Sequence, residues 1–431
     1  MKRMIALILT LMLVVAAPLI FAAGSVPVGK AEDVGLSTER LKRISEAVQR
    51  SITAGNVAGA VTLVARRGKI AHFDAQGVMD VDTKKPMAKD NLFRLASMSK
   101  PITGVAVMML VEEGKIRLND PVARFIPEFV NLNKVAVPRP GASAAPPQGR
   151  QGGAASQGGA PQYDVVSANR QITIADLLKH GSGLISGGLG AADAARLAPR
   201  TPTDTLATYI PKLAAVPLDF QPGALWRYSG SAGFDVLSRV VEVASGQTYD
   251  TFLQDRLLGP LGMADTGFFA PPGKASRVVT MSESSPNGLR TVARTDSTVY
   301  FSGAGGMMST AEDYLQFAQM MLNGGELNGW RYLSPQTMAL MTSNHTGDMV
   351  NGQFGRPPRG MGFGLSMQVV MDPVAADLRV SKDAFGWAGG TGVSFWVEPA
   401  EQIVSIYFVQ GGSGGQLRGD VENAIRQAIV N

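Results

Sequence analysis

The chain of 431 residues contains no cysteine. That single absence removes disulfides, a lipid-bearing thioether, a cysteine nucleophile and thiolate metal ligands. Histidine is nearly as scarce. His72, His180 and His345 are scattered and form no H-E-x-x-H pattern, so a transition-metal site has no ligand set. Charged residues make up 17% of the chain, and the formal charge of +5 includes Lys2 and Arg3. Without those two, 38 of the 40 basic residues face 35 acidic ones, an excess of +3. No basic stripe is interleaved with aromatics, so nucleic acid is not an expected partner. No internal repeat is evident. What remains is a chain with 45% apolar residues, a globular composition long enough for one large domain or two smaller ones.

The longest apolar run opens the sequence, in MKRMIALILTLMLVVAAPLIFAAG. Two early positive charges, an apolar stretch and then Ala22, Ala23 and Gly24 read as an export signal over residues 1–24. Pro18 and the small residues favour cleavage, and the run is also long enough for a retained membrane anchor. The expectation is an exported protein, periplasmic or secreted, that touches a membrane only through this leader. Its oligomeric state is not legible.

Residues 25–431 then read as one domain. STERLKRISEAVQRSITAG sets Leu41, Ile44, Val48 and Ile52 on one face of a helix opened by Ser37 or Thr38. AGAVTLVARRGKIAHFDAQG predicts a β-hairpin turning at Arg67-Gly68. Residues 138–162 are low-complexity Gly, Ala, Pro and Gln with almost nothing to bury, a flexible surface insert. Helical patterns follow in ITIADLLKH, TDTLATYIPKLAAV, AGFDVLSRVVEVASG and TYDTFLQDRLL. Strand signals return in GFGLSMQVVMD, VSFWVEP and QIVSIYFVQ, and GDVENAIRQAIV closes the chain as a helix. The simplest assembly is an α+β fold. The N-terminal hairpin joins the C-terminal strands in one antiparallel sheet, terminal helices pack on it, and the helical middle forms a second lobe. A cleft between the lobes is the natural ligand site.

Within FRLASMSKPITGVAVMMLVEEGKI, a lysine and a serine lead into a helix that is apolar all round. Such a helix is normally buried, and an ammonium at its mouth is costly unless something there needs it. Ser97 and Lys100 lie three residues apart, which on a helix stacks them on one face. A serine hydroxyl is a poor nucleophile until a base takes its proton, and burial at a helix N-terminus favours an amine in its neutral, basic form. Pro101 suits an early helical position, leaving the Ser97 N–H free to face a developing oxyanion. About one S-x-x-K match is expected by chance in a chain of this size; its place at the start of the apolar helix is what singles it out.

Two more stations matter. In GALWRYSGSAGFDVLSRVV, Tyr228 precedes a helix; it is either packing with its hydroxyl tied to backbone or a proton relay beside a lysine. In FGWAGGTGVSFWVEP, Trp387, Ala388, Gly389 and Gly390 lead into a strand. The glycines make a tight turn or bulge, or let a strand edge approach a substrate and aim an N–H at its carbonyl.

Together these stations resemble the serine β-lactamase and penicillin-binding-protein superfamily, most closely its class C-type branch and the family VIII carboxylesterases. Ser97 and Lys100 match S-x-x-K, Tyr228 matches the tyrosine of the Tyr-x-Asn element, and Trp387, Ala388 and Gly389 occupy the Lys-Thr-Gly-like strand. The stretches LLKHGSGL, GPLGMADTGF, FSGAGGMMSTAEDYLQFAQMMLNGG and LSPQTMALMTSNHTG are similar too, and the likeness runs from about Val34 to Ile429. It implies a β-lactamase/transpeptidase-like fold and acyl transfer through a Ser97 acyl-enzyme. Lys100 would be the base, Tyr228 the proton carrier, and the N–H groups of Ser97 and Gly390 the oxyanion hole, with Trp387 and Gly389 against the substrate. No metal or organic cofactor is implied. Two departures stand out: Gly230 replaces the asparagine, and Trp387 replaces the lysine that would hold a β-lactam carboxylate. An aromatic there resembles the W-G-G form of the esterase branch and suits an uncharged ester. The expected function is a carboxylesterase on small esters. The alternatives are a β-lactamase, a D-amino-acid-specific peptidase, or a non-catalytic peptidoglycan-binding protein.

Other features read as structure. GGSGG at 411–415 mimics a nucleophile elbow at Ser413, yet every histidine lies upstream of it, so the later acid and histidine of that fold are missing. His180 reads as a structural hydrogen-bonder, and the Met pairs at 108 and 307 as core fillers.

Overall fold

The computed structural model describes residues 25–139, 163–294, 299–353, 357, 359–411 and 415–431. The leader, nearly all of the Gly/Ala/Pro-rich insert, and Ser413 lie outside the described residues.

Seven strands form one antiparallel sheet. In chain order they are β1 (Gly59–Arg66), β2 (Lys69–Gly77), β3 (Met361–Phe363), β4 (Gln368–Val370), β5 (Phe385–Ala388), β6 (Ser394–Glu398) and β7 (Ile403–Phe408). In space the order is β3-β4-β5-β6-β7-β1-β2, so the two ends of the chain meet where β1 pairs with β7, Val61 opposite Phe408 and Arg66 opposite Ile403. The β1–β2 turn falls at Arg67 and Gly68, both left-handed at φ 50° and 72°, the geometry a two-residue hairpin requires.

Both faces of β1 are buried, which is why GAVTLVAR reads as a continuous apolar run rather than an alternating one. Ala60 and Val64 face the terminal helices, whereas Val61, Leu63 and Ala65 face the main core. The terminal helices are α1 (Thr38–Thr53), capped by the Ser37 side chain, and α5 (Gly415–Ala428). Leu41, Ile44 and Val48 of α1 meet Leu417, Val421 and Ile425 of α5 over the sheet, and each such fully buried side chain contributes about 1.5–3 kcal/mol. Arg66 ties this end together by donating to the carbonyls of Val34, Gly35 and Asn431.

Beneath the other face lie α2 (Ser99–Glu112), α3 (Ala232–Ser245) and α4 (Ala311–Leu322). Every residue of α2 from Ser99 to Leu110 is buried, as its all-round apolar sequence requires. It runs between the sheet and the helical lobe, so its N-terminus opens where the two meet. The methionine pairs 108–109 and 307–308 are buried.

The helical lobe is less regular than its pattern suggests. TDTLATYIPKLAAV forms an α-helix only over Leu206–Tyr209 and continues as a 3-10 helix, Ile210–Ala215, because Pro211 has no N–H to donate. Two hairpins add strand to this region, Lys134–Pro138 with Tyr163–Ser167 and Met281–Ser285 with Gly288–Val292. The low-complexity insert connects the first pair, and Pro138, read as part of that insert, belongs to the strand.

Candidate active site

A short 3-10 turn, Ala96–Met98, feeds into α2 and carries Ser97. Ala96 sits in the left-handed region at φ 45°, a conformation that costs an L-residue of order 1 kcal/mol. The strain is held from several sides. Leu95 donates its N–H to the Met307 carbonyl at 2.8 Å, the Met98 carbonyl accepts the Tyr314 hydroxyl at 2.9 Å, and the Arg94 carbonyl accepts the Thr391 hydroxyl at 2.8 Å.

Ser97 Oγ lies 3.2 Å from Lys100 Nζ and accepts a 2.7 Å hydrogen bond from the Tyr228 hydroxyl. Lys100 is fully buried. Its Nζ donates to the carbonyls of Gly230 at 2.7 Å and Ala304 at 2.8 Å, with the rings of Tyr228 and Phe234 at 5.1 and 5.6 Å. Two carbonyls fix two donors of a tetrahedral nitrogen, so its next position faces Ser97, as an N–H in the ammonium or a lone pair in the amine. The buried lysine at the mouth of this apolar helix is thus oriented at one hydroxyl.

The loop bearing Ala304 is pinned by Asp235 on α3. Its carboxylate accepts from Ser302 Oγ at 2.6 Å, Tyr300 OH at 3.0 Å and the Ala304 N–H at 3.2 Å. Burial pushes this carboxyl up, while those hydrogen bonds and the nearby Lys100 pull it down. Burial, followed by the adjoining Asp235 charge, also pushes the Tyr300 phenol up. Asp235, the Gly230 carbonyl and the Ala304 carbonyl were not legible as site groups. Only Asp235 left a trace, as an acid within the apolar run Phe234-Asp235-Val236-Leu237. A carbonyl can come from any residue type, so Gly230 supplies one although its side chain has departed from asparagine.

Tyr228 is held by aromatic neighbours. The rings of His180 and Trp387 lie 4.5 and 5.6 Å from it. His180 is buried, accepts the Ser229 N–H on Nδ1 at 3.3 Å and offers its carbonyl to the Arg227 N–H. It therefore shapes the Tyr228 loop, as its structural reading anticipated.

Trp387, Gly389 and Gly390 reach the same cleft from β5 and the turn after it. β5 is the third of the seven strands in the sheet. Its neighbour β4 pairs only with Phe385 and Gly386, however, so Trp387 and Ala388 outrun that partner and line the cleft. A Cβ at Gly389 would lie 2.2 Å from the Leu95 carbonyl oxygen, whereas one at Gly390 would meet nothing within 4 Å. Gly389 thus permits close packing onto the turn that carries Ser97, and Gly390 borders open space. Among the described residues, no protein acceptor takes the N–H of Ser97 or of Gly390, the condition an oxyanion site must meet.

Ser97 stands on the boundary of two cavities. One, of about 370 Å³, is lined by Tyr228, Met361, Leu378, Val380, Trp387 and Trp396 among others. The second, of about 650 Å³, is lined by Gly230, Ala304, Gly305, Gly306 and Thr391 together with arginines. Gly390 borders both. A separate depression of about 640 Å³ near Arg67 and Gln402 contains neither Ser97 nor Lys100.

Comparison with known proteins places the chain in a family. The Beta-lactamase family model matches residues 44–429. Esterase EstB of Burkholderia gladioli is 30% identical over 417 residues, covering 90% of this chain and 94% of EstB. Protein Rv1367c of Mycobacterium tuberculosis (strain ATCC 25618 / H37Rv) is 34% identical over 369 residues, covering 83% of this chain and 86% of that protein. Among solved structures, EstCE1, a hydrolase with promiscuous acyltransferase activity, superposes with a TM-score of 0.74 at 26% identity, covering 90% of this chain and 99% of EstCE1.

Proposed function

This chain belongs to the beta-lactamase family, with its β-lactamase/transpeptidase-like α+β fold, and we propose that within it the protein is a carboxylesterase acting on small esters through a Ser97 acyl-enzyme. The observation that carries the reading is the contact set at Ser97 Oγ, with Lys100 Nζ at 3.2 Å and the Tyr228 hydroxyl at 2.7 Å, beside a cavity whose wall includes an indole at position 387. EstB and EstCE1, by name an esterase and a hydrolase, support the substrate class.

In the proposed reaction, Ser97 Oγ attacks the ester carbonyl and its proton passes to Lys100. The carbonyl oxygen takes the negative charge and is held by the N–H groups of Ser97 and Gly390. As the C–O bond breaks, Tyr228 gives its phenolic proton to the departing alkoxide and is reprotonated from Lys100. Water then attacks the acyl-enzyme, the same groups take its proton, and Ser97 regains its hydrogen as the acid leaves. Indole in place of ammonium at 387 favours an uncharged alcohol limb over a β-lactam carboxylate.

The test compares p-nitrophenyl butyrate, nitrocefin and a D-alanyl-D-alanine peptide on the wild type and Ser97→Ala. The expected result is ester turnover that falls by about 10³-fold or more in the variant, with the other two substrates turned over poorly. Faster turnover of nitrocefin or the peptide would replace the esterase reading with the corresponding alternative.

A further inference from the structure

Lys100 faces Ser97 because two carbonyls take its other donors, and one of them, that of Ala304, lies in a loop. A loop carbonyl keeps its direction only as well as the peptide units around it are held. The Ala304 carbonyl shares its own unit with the Gly305 N–H, which reaches the Ser302 carbonyl only at 3.4 Å. The Gly306 N–H makes a better bond there, at 2.8 Å, but both glycines are exposed.

The preceding unit, which joins Gly303 to Ala304, is clamped at both ends. Its N–H donates to Asp235 Oδ1 at 3.2 Å, and its oxygen, the Gly303 carbonyl, accepts from Thr103 Oγ1 at 2.8 Å. Thr103 lies on α2 three residues after Lys100, so helix geometry sets base and clamp on one face. It is fully buried and lines neither cavity at Ser97.

A threonine hydroxyl has one hydrogen to give. Around Thr103 Oγ1 stand the Tyr249 hydroxyl at 2.7 Å, the Gly303 carbonyl at 2.8 Å and the Ser99 carbonyl at 3.2 Å. Burial pushes the Tyr249 phenol up from its ordinary value, so it keeps a hydrogen to donate. The hydrogen of Thr103 then goes to the nearer carbonyl, that of Gly303. Position 303 has room for nothing larger than glycine. A Cβ there would lie 2.2 Å from Ser238 Oγ, 2.6 Å from Thr103 Oγ1 and 2.9 Å from the Tyr249 hydroxyl. Neither Thr103 nor Tyr249 takes part in the proton transfers proposed above.

From this clamp we infer that Thr103 is a positioning residue for the base. It acts through the peptide between Gly303 and Ala304 to hold the Ala304 carbonyl against Lys100 Nζ, and so keeps the nitrogen directed at Ser97 Oγ. This rests on the reading of Ser97 and Lys100 above and deepens it.

The experiment measures kcat and KM on p-nitrophenyl butyrate for Thr103→Val and Thr103→Ser, and the rate at which a fluorophosphonate probe labels Ser97. Valine keeps the shape of threonine and loses the hydroxyl. Thr103→Val should lower kcat by about tenfold or more, toward the 10²-fold that a displacement of ~1 Å at reacting atoms costs. KM should stay within about twofold, because the residue lies outside both cavities. Labelling should slow in parallel, and Thr103→Ser should restore kcat to within about threefold of the wild type. If Thr103→Val fails to fold, Thr103→Ser against Thr103→Ala isolates the same hydroxyl, and the serine variant should be faster by the same factor. Wild-type kcat in Thr103→Val would overturn the inference. So would a loss that serine fails to restore, or one in which KM rises as kcat falls, since packing alone would then account for it. Lys100→Met separates the inference from the reading beneath it. If that variant labels as fast as the wild type, Lys100 is not the base and both fall; if it labels slowly, the outcome at Thr103 decides the inference alone.

Discussion

Replacing Gly389 with alanine tests how tightly β5 is packed on the turn that carries Ser97. The new methyl would lie 2.2 Å from the Leu95 carbonyl oxygen and 2.7 Å from Val393 Cγ2, where ordinary contact begins at 3.4 Å. Relief requires a retreat of about 1 Å, and overpacking of this kind costs about 1–3 kcal/mol. Leu95 is not free to yield alone. Its N–H is bonded to the Met307 carbonyl and its own carbonyl accepts the Met98 N–H at 3.0 Å, so a shift there displaces Ser97 relative to Tyr228 and Gly390. A misplacement of ~1 Å at reacting atoms costs about 10²-fold in rate. The assay pairs urea midpoints with kcat on p-nitrophenyl butyrate, and Gly390→Ala serves as the comparator. With nothing within 4 Å of its Cβ, that comparator should unfold within about 0.5 kcal/mol of the wild type. A Gly389→Ala protein with the wild-type midpoint and kcat would refute the close approach of strand and turn.

Three further outcomes are expected. Tyr228→Phe removes the 2.7 Å hydrogen bond to Ser97 and should lower kcat by about 10²–10⁴ with the fold intact by circular dichroism; near-normal kcat would remove Tyr228 from proton transfer. Asp235→Ala leaves the Tyr300 and Ser302 hydroxyls and the Ala304 N–H without their buried acceptor. It should cost about 3–5 kcal/mol in urea unfolding, whereas a loss below about 1 kcal/mol would show that the loop is fixed by other means. Burial, partly opposed by Asp74, lowers the His72 imidazole to about 4 from an ordinary 6.5. Its folded form thus holds the proton less well than the unfolded chain does. The associated stability is fully present above about pH 6.5 and lost as pH falls toward 4, by at most roughly 3 kcal/mol because the ring is only half-buried. The wild-type advantage over His72→Gln should shrink across that interval, and an advantage independent of pH would contradict the assignment.

Legibility of the chain followed the length scale of the signal. The β1–β2 hairpin, α1, α2 and the last two strands were readable because period, caps and the Arg67-Gly68 turn all agree locally. The pairing of β1 with β7 followed from the need of two apolar segments for partners. The hairpin Lys134–Pro138 with Tyr163–Ser167 was missed, since a low-complexity segment separates short strands that are half-exposed. At the candidate site, Ser97 and Lys100 were singled out by side-chain chemistry and placement and Tyr228 by the family resemblance, and the structure brings the three side chains together. The carbonyls of Gly230 and Ala304 were not singled out, because backbone groups leave no mark in composition.

The central claim is that Ser97 is an activated nucleophile, and covalent labelling tests it most directly. The protein would be incubated with a fluorophosphonate probe, digested and read by mass spectrometry beside Ser97→Ala. The account predicts one adduct, on the peptide containing Ser97, absent from the variant and slowed in Lys100→Met. An unlabelled but folded protein, or an adduct at another serine such as Ser413, would contradict it.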